Sequence, residues 1–144
     1  MNRKRATAVI IKDNEVLLIH RVRKGLEYHV FPGGGVEEGE TYEDALVREV
    51  QEELTLDVIE YELLSVLTDL EIPPQPDIAS SYMDTNVYLV SSYNGTPEIG
   101  GPEKEKMSDD NQYHLAWIKT TDLKVLPDIY PHGVLNSLLD YLKS

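Results

Sequence analysis

The 144-residue chain has no cysteine. Disulfides, thiolate metal sites and cysteine nucleophiles are therefore excluded, and the composition suits a reducing compartment. Cations are scarce: 13 Lys and Arg stand against 26 Asp and Glu, a formal charge of -13 at pH 7. Such a chain is poorly suited to nucleic acid polymers or an anionic membrane, and a small anionic substrate would need metal cations beside it. Long apolar runs are missing as well. After the basic start Arg3-Lys4-Arg5, the run from Ala6 to Ile11 stops at Lys12-Asp13, too short for a signal-peptide core or a membrane span. No internal repeat, low-complexity tract or second-domain boundary interrupts the chain. With 41% hydrophobic residues it has enough apolar material for a core, and the expectation is one soluble, cytoplasmic domain over residues 1–144.

Thr7 to Ile11 and Val16 to Ile19 are β-branched and aliphatic runs joined by Lys12-Asp13-Asn14-Glu15, which predicts a hairpin. A short strand is expected at His29 to Phe31, where Pro32-Gly33-Gly34-Gly35 then breaks regular structure and frees the backbone for close approach. Thr41, with Asp44 three residues on, predicts a helix start, and the helix runs to about Leu54. Two longer strands follow, Val58 to Leu70 and Tyr82 to Tyr93, with the breaker-rich IPPQPD (Ile72 to Asp77) in the loop between them. A second loop, Asn94 to Asn111, is long for a plain connection. Tyr113 to Ile118 reads as a last strand, and Leu135, Leu138, Leu139 and Leu142 as a closing amphipathic helix after Pro131.

Within the first helix, Leu46, Val50 and Leu54 fall on one face, and Glu49, Glu52 and Glu53 on an adjacent stripe. Charge runs on helices are usually solvated faces. Here, however, Glu49 and Glu53 stand one turn apart, which costs a few tenths of a kcal/mol unless something compensates. Arg48, one turn from Glu52, offsets part of this, and the remainder asks for a cation. Carboxylate oxygens suit Mg²⁺, Mn²⁺ or Ca²⁺, and Mg²⁺ is commonly held by one or two carboxylates together with substrate phosphates and water. The alternating acidic loop of an EF-hand is absent, which argues against calcium storage.

The spacing then becomes recognisable. Gly34, five residues, Glu40, seven residues, and Arg48-Glu49-Val50-Gln51-Glu52-Glu53-Leu54-Thr55-Leu56 resembles the Nudix hydrolase signature GX5EX7REUXEEXGU, with U an aliphatic residue. The match spans Gly34 to Leu56 and departs once, at Thr55, where the family has glycine. A β-branched residue there implies either a different helix exit or a loss of stability, and Thr55 carries none of the chemistry.

The resemblance implies an α+β fold, the Nudix α/β/α sandwich, with a mixed sheet between the box helix and the C-terminal helix. It also implies metal-assisted attack of water on a phosphoanhydride in a nucleoside diphosphate linked to another group, usually with Mg²⁺. By residue, Glu52 and Glu53 correspond to metal ligands, with the Gly33 carbonyl as a further donor, and Glu49 to a ligand or the general base. Arg48 would orient the glutamates, and Glu40 would support the loop and helix from behind. Some members take the base from a later loop, for which Glu103 and Glu105 are the candidates; a solvated charged loop is the ordinary alternative. Tyr28 and His29 are candidates for contacting a base or ribose, or for packing on the sheet. Trp117 reads as core, and His20, His114 and His132 have no defensible metal-ligand spacing.

The box fixes the reaction and leaves the leaving group open. A MutT-like nucleoside triphosphate pyrophosphohydrolase is the first expectation, since the chain is short. ADP-ribose, nucleotide sugars and dinucleoside polyphosphates remain alternatives, as does a catalytically silent nucleotide- or partner-binding Nudix domain. Pro73 and Pro74 lie where ADP-ribose hydrolases often carry a proline, at loose spacing. Dimerisation is common in the family, and no stretch marks an interface.

Overall fold

The computed structural model describes residues 2–71, 82–126 and 128–143. The IPPQPD segment, with Pro73 and Pro74, lies outside these. Strands β1 (Arg3–Lys12) and β2 (Glu15–Arg23) form the expected hairpin, longer at both ends than the apolar runs alone define. Asp13 and Asn14 both take positive φ, 53° and 63°. That is the backbone of a two-residue turn whose twist suits the flanking strands, and Asn and Asp tolerate it best among residues with a side chain.

Strands β3 (Leu26–Val30) and β4 (Gly33–Gly35) follow, then helix α1 (Tyr42–Leu54), β5 (Asp57–Glu71) and β6 (Tyr82–Asn94). The last section holds a five-residue helix α2 (Gly101–Glu105), β7 (Asn111–Lys119), the short β8 (Ile129–Tyr130) and α3 (His132–Lys143). The strands form one mixed sheet in the order β5-β6-β1-β2-β3-β8, with β4 beside β1 and β7 beside β2. The β1–β6 and β3–β8 pairs are parallel and the other pairs antiparallel. No helix among the described residues is long and apolar enough to cross a membrane.

Burial on both faces makes the sheet the middle layer, as the α/β/α expectation requires. Ala45, Leu46, Val50 and Leu54 of α1 pack with Ala8, Ile10, Leu17 and Ile19 on one face. Val134 and Leu138 of α3 pack with Val9, Val16, Leu18 and Phe31 on the other. In β2 the two sets alternate, as period-two side chains must. Each fully buried Leu or Phe contributes roughly 1.5–3 kcal/mol of hydrophobic stabilisation.

One irregularity positions everything that follows. β1 pairs with β2 only at Ile11↔Val16 and Lys12↔Glu15; nearer its start the same strand pairs with β4, from Arg5↔Gly35 to Thr7↔Gly33. The sheet therefore splits, with β1 and β4 on one side and β2, β3 and β7 on the other. A cleft opens in the fork.

Helix α1 starts as its sequence dictates. The Thr41 hydroxyl accepts from the Asp44 N–H at 3.0 Å, and the Asp44 carboxylate accepts from the Thr41 N–H at 3.1 Å. Its exit resolves the question posed by Thr55, which sits in the left-handed region at φ 58°, ψ 30°. The helix thus ends as a glycine would end it, with a threonine bearing the strain. Part of the compensation is local, since the Thr55 hydroxyl donates to the Leu54 carbonyl at 2.6 Å and to the Thr96 carbonyl at 3.3 Å. Thr55→Gly is expected to raise unfolding stability by about 1 kcal/mol in urea denaturation, the scale of the left-handed penalty. An unchanged or lower midpoint would mean that the hydroxyl bonds outweigh the strain.

Candidate active site

The acidic stripe of α1 is gathered by one guanidinium. Arg48 grips Glu40 with two parallel bonds, Nε to Oε2 at 2.7 Å and Nη2 to Oε1 at 2.9 Å. Its Nη1 donates to Glu49 at 2.8 Å and to Glu52 at 3.2 Å, and its Nη2 also donates to the Gly35 carbonyl at 2.9 Å. A planar fork with fixed donors suits this task in a way that a lysine would not. Hydrogen bonds from Arg48, then from the Glu37 backbone, draw the Glu40 carboxyl down to about 2, so it stays ionised and keeps its grip.

The glycine loop closes on the same helix. A Cβ on Gly34 would lie 2.1 Å from the Glu49 carboxyl carbon, so only glycine lets the Glu49 carboxylate lie against the loop backbone. Gly33 donates its N–H to Glu53 Oε1 at 2.7 Å. The predicted contact of Gly33 was through its carbonyl; what the structure records is the amide.

The carboxylates differ in electrostatics. Burial pushes Glu53 up to about 8, against the pull of Arg5 and the Gly33 N–H, with Glu49 and Glu103 adding to the rise. Burial also raises Glu49, opposed by Arg48. A divalent cation would have to displace the Glu53 proton below pH 8. The affinity for a divalent cation is therefore expected to rise from pH 6 towards 8 and then level off, with protons released on binding. Titration calorimetry in buffers of different ionisation enthalpy measures this; a flat profile would contradict it.

The long loop after β6 is not plain connection. Its backbone caps the end of α1, Gly100 N–H donating to the Glu53 carbonyl at 2.8 Å and Glu98 N–H to the Leu54 carbonyl at 3.1 Å. A Cβ on Gly100 would lie 1.6 Å from the Glu52 carbonyl oxygen, so this approach also needs glycine. The loop then turns into α2, which carries Glu103 to the cleft wall, where its Oε2 is buried without a hydrogen-bond partner among the described residues. Glu105, the other sequence candidate, is exposed and is not among the residues that line the cleft. Two steps along a single helical turn carry a side chain to a different face.

The cleft has a volume of about 640 Å³, with Glu53 and Glu103 among its lining residues. Arg3, Lys4, Arg5, Arg21 and Arg23 also line it, five of the chain's 13 cations, so the cleft is basic although the chain is strongly acidic. Arg21 lies 3.7 Å over the Tyr113 ring and donates to Asn111 Oδ1 and the Gln112 carbonyl. Tyr28 lines the cleft, whereas His29 does not: its ring stacks on His20, 4.9 Å between centroids, in a row completed by His114. Adjacent strand residues point to opposite faces, so the two could not both reach a ligand from β3. Trp117 packs partly buried beside the α1 core, as expected.

Among the described residues, no three His, Asp or Glu side chains converge on one point; Arg48 engages Glu49 and Glu52, and the Gly33 amide engages Glu53. The donor chemistry nonetheless fits a hard cation. Glu49, Glu52 and Glu53 present carboxylate oxygens from consecutive turns of a rigid helix, and Glu103 adds a buried carboxylate oxygen without a partner.

Comparison with known proteins agrees with this architecture. The NUDIX domain profile matches residues 1–133. The uncharacterized Nudix hydrolase YvcI of Bacillus subtilis (strain 168) is 30% identical over 119 residues, 83% of this chain and 67% of that protein. An ADP-ribose pyrophosphatase of Methanocaldococcus jannaschii is 35% identical over 98 residues, 67% of this chain and 55% of that protein. The chain thus spans between half and two thirds of these relatives. Among solved structures, the MutT NUDIX hydrolase from Burkholderia pseudomallei superposes with a TM-score of 0.71 at 27% identity, covering 96% of both chains.

Proposed function

The chain belongs to the Nudix family, and from that premise we propose that it is a Mg²⁺-dependent pyrophosphohydrolase cleaving the phosphoanhydride of a nucleoside diphosphate linked to another moiety. Nucleoside triphosphates are the first substrates to try, Mn²⁺ is the natural substitute cation, and a cytoplasmic setting fits the cysteine-free composition. The observation that carries this reading is the Arg48 guanidinium holding Glu40, Glu49 and Glu52 in one array on the helix that also presents Glu53 to a basic cleft.

Glu52, Glu53 and Glu49 would hold the cation, which when bound supplies neutralisation of the phosphate oxygens and acidification of water. The chain's own residues do the rest. Arg48 and Glu40 fix the carboxylates in advance, so no reorganisation is needed as charge develops. Glu103, its Oε2 without a partner in the cleft wall, accepts a proton from the attacking water. The water oxygen bonds to phosphorus, the bridging P–O bond breaks, and its electron pair leaves with the departing phosphate. Glu49 is the other carboxylate considered for this proton, but Arg48 already occupies one of its oxygens.

A second reading, ADP-ribose as substrate, is favoured by the similarity to the Methanocaldococcus jannaschii ADP-ribose pyrophosphatase. Product analysis on ATP tests the first. AMP with pyrophosphate is expected, and ADP with orthophosphate, or no products at all, would contradict it.

A further inference from the structure

Five cations line the cleft beside Glu53 and Glu103, and they are not equivalent. Arg21 is committed to Asn111, the Gln112 carbonyl and the Tyr113 ring, which leaves it a fixed wall. Lys4 lies close enough to Asp84 to lower that carboxyl, which offsets its charge. Arg3 and Arg5 differ from these. Arg5 donates once, from Nη2 to the Phe31 carbonyl at 3.1 Å, and its buried Nε has no partner among the described residues. Arg3 is exposed, and its side chain makes no hydrogen bond or ion pair among the described residues. The two stand two residues apart on β1 and both line the cleft that contains Glu53.

We propose that Arg3 and Arg5 form an anion subsite beside the metal-binding carboxylates, and that it selects substrates carrying phosphate beyond the two joined by the scissile anhydride. The inference rests on the hydrolase reading for the location of that anhydride. A buried guanidinium donor left unpaired is costly, and a phosphate oxygen is the acceptor that best satisfies it. In a chain this acidic, arginines with unused donors in a basic concavity fit a ligand that brings negative charge of its own. ADP-ribose brings two phosphates, both occupied at the scissile bond, and leaves a neutral sugar facing Arg3 and Arg5. A triphosphate or longer polyphosphate brings the further anion.

The test has a binding arm and a kinetic arm. By calorimetry without metal, inorganic tripolyphosphate is expected to bind wild type about tenfold more tightly than pyrophosphate, the scale of one charge-assisted contact, and Arg3→Gln to erase most of that difference. With Mg²⁺, kcat/KM is expected to be higher for ATP and diadenosine tetraphosphate than for ADP-ribose. In Arg3→Gln, KM for the first two is expected to rise about tenfold, and that for ADP-ribose by less. Arg5→Lys, which keeps the charge inside the cleft, should fold and lose less than Arg3→Gln does. Equal binding of tripolyphosphate and pyrophosphate, or a preference for ADP-ribose, would overturn the subsite even in an active enzyme. Preferential tripolyphosphate binding without turnover on any of the three substrates would overturn the hydrolase reading and leave the subsite standing.

Discussion

Glu53→Gln is expected to lower Mg²⁺-dependent turnover at least about a hundredfold, the scale of removing a key electrostatic group from a preorganised site. The substitution is nearly isosteric and the amide keeps an oxygen for the Gly33 N–H, so the loop should stay in place. Stability should respond in the opposite direction from activity. Without a cation, burial raises Glu53 from its ordinary 4.5 to about 8. A carboxyl whose folded pKa is raised favours the folded state fully below about pH 4.5, and that advantage is lost as pH rises to 8. Wild type without metal is therefore expected to lose stability across pH 4.5 to 8, and the glutamine variant to lose less. Activity retained within a few-fold, or a variant that unfolds at neutral pH, would contradict the role given to Glu53.

Glu103→Gln is the second large effect. A positioned general base contributes typically 10²–10⁴-fold, so a loss in kcat of that order is expected, with Mg²⁺ affinity changed far less than in Glu53→Gln. Glu105→Gln provides the comparison, since its side chain faces solvent on the same short helix. If both variants turn over normally, the loop supplies no base and Glu49 takes that role. Glu49→Gln at saturating Mg²⁺ separates the two cases: a kcat near wild type leaves the proton to Glu103, and a loss of the general-base scale, with Glu103→Gln active, assigns it to Glu49.

What the sequence could and could not convey follows the range of the interactions. The hairpin at Asp13-Asn14, the capping box of Thr41 and Asp44, and the apolar face Leu46, Val50 and Leu54 all rest on contacts within a few residues, and each was legible. The stripe of like charges was legible as a problem, and its resolution through Arg48 followed from helical spacing. The Glu40 contact, eight residues away, needed the resemblance to be noticed.

Longer-range features were hidden. Arg3, Lys4 and Arg5 read as a basic head because nothing local says that β1 leaves β2 for β4 and so opens a cleft at its start. The available signal was their crowding: three of 13 cations fall in the first five residues of an acidic chain. Tyr28 and His29 were equal candidates until the pleat sent one to the cleft and the other to the histidine row. Glu103 was separable from Glu105 only once Gly100 had docked on the end of α1.

The most direct test of the active-site assignment is phosphate and pyrophosphate release by wild type from a panel of nucleoside triphosphates, ADP-ribose, nucleotide sugars and diadenosine polyphosphates, in Mg²⁺ and in EDTA. Turnover of at least one substrate in Mg²⁺, abolished by EDTA, is the predicted result. Folded protein that releases nothing from any of them in Mg²⁺, or that turns over equally in EDTA, would contradict it.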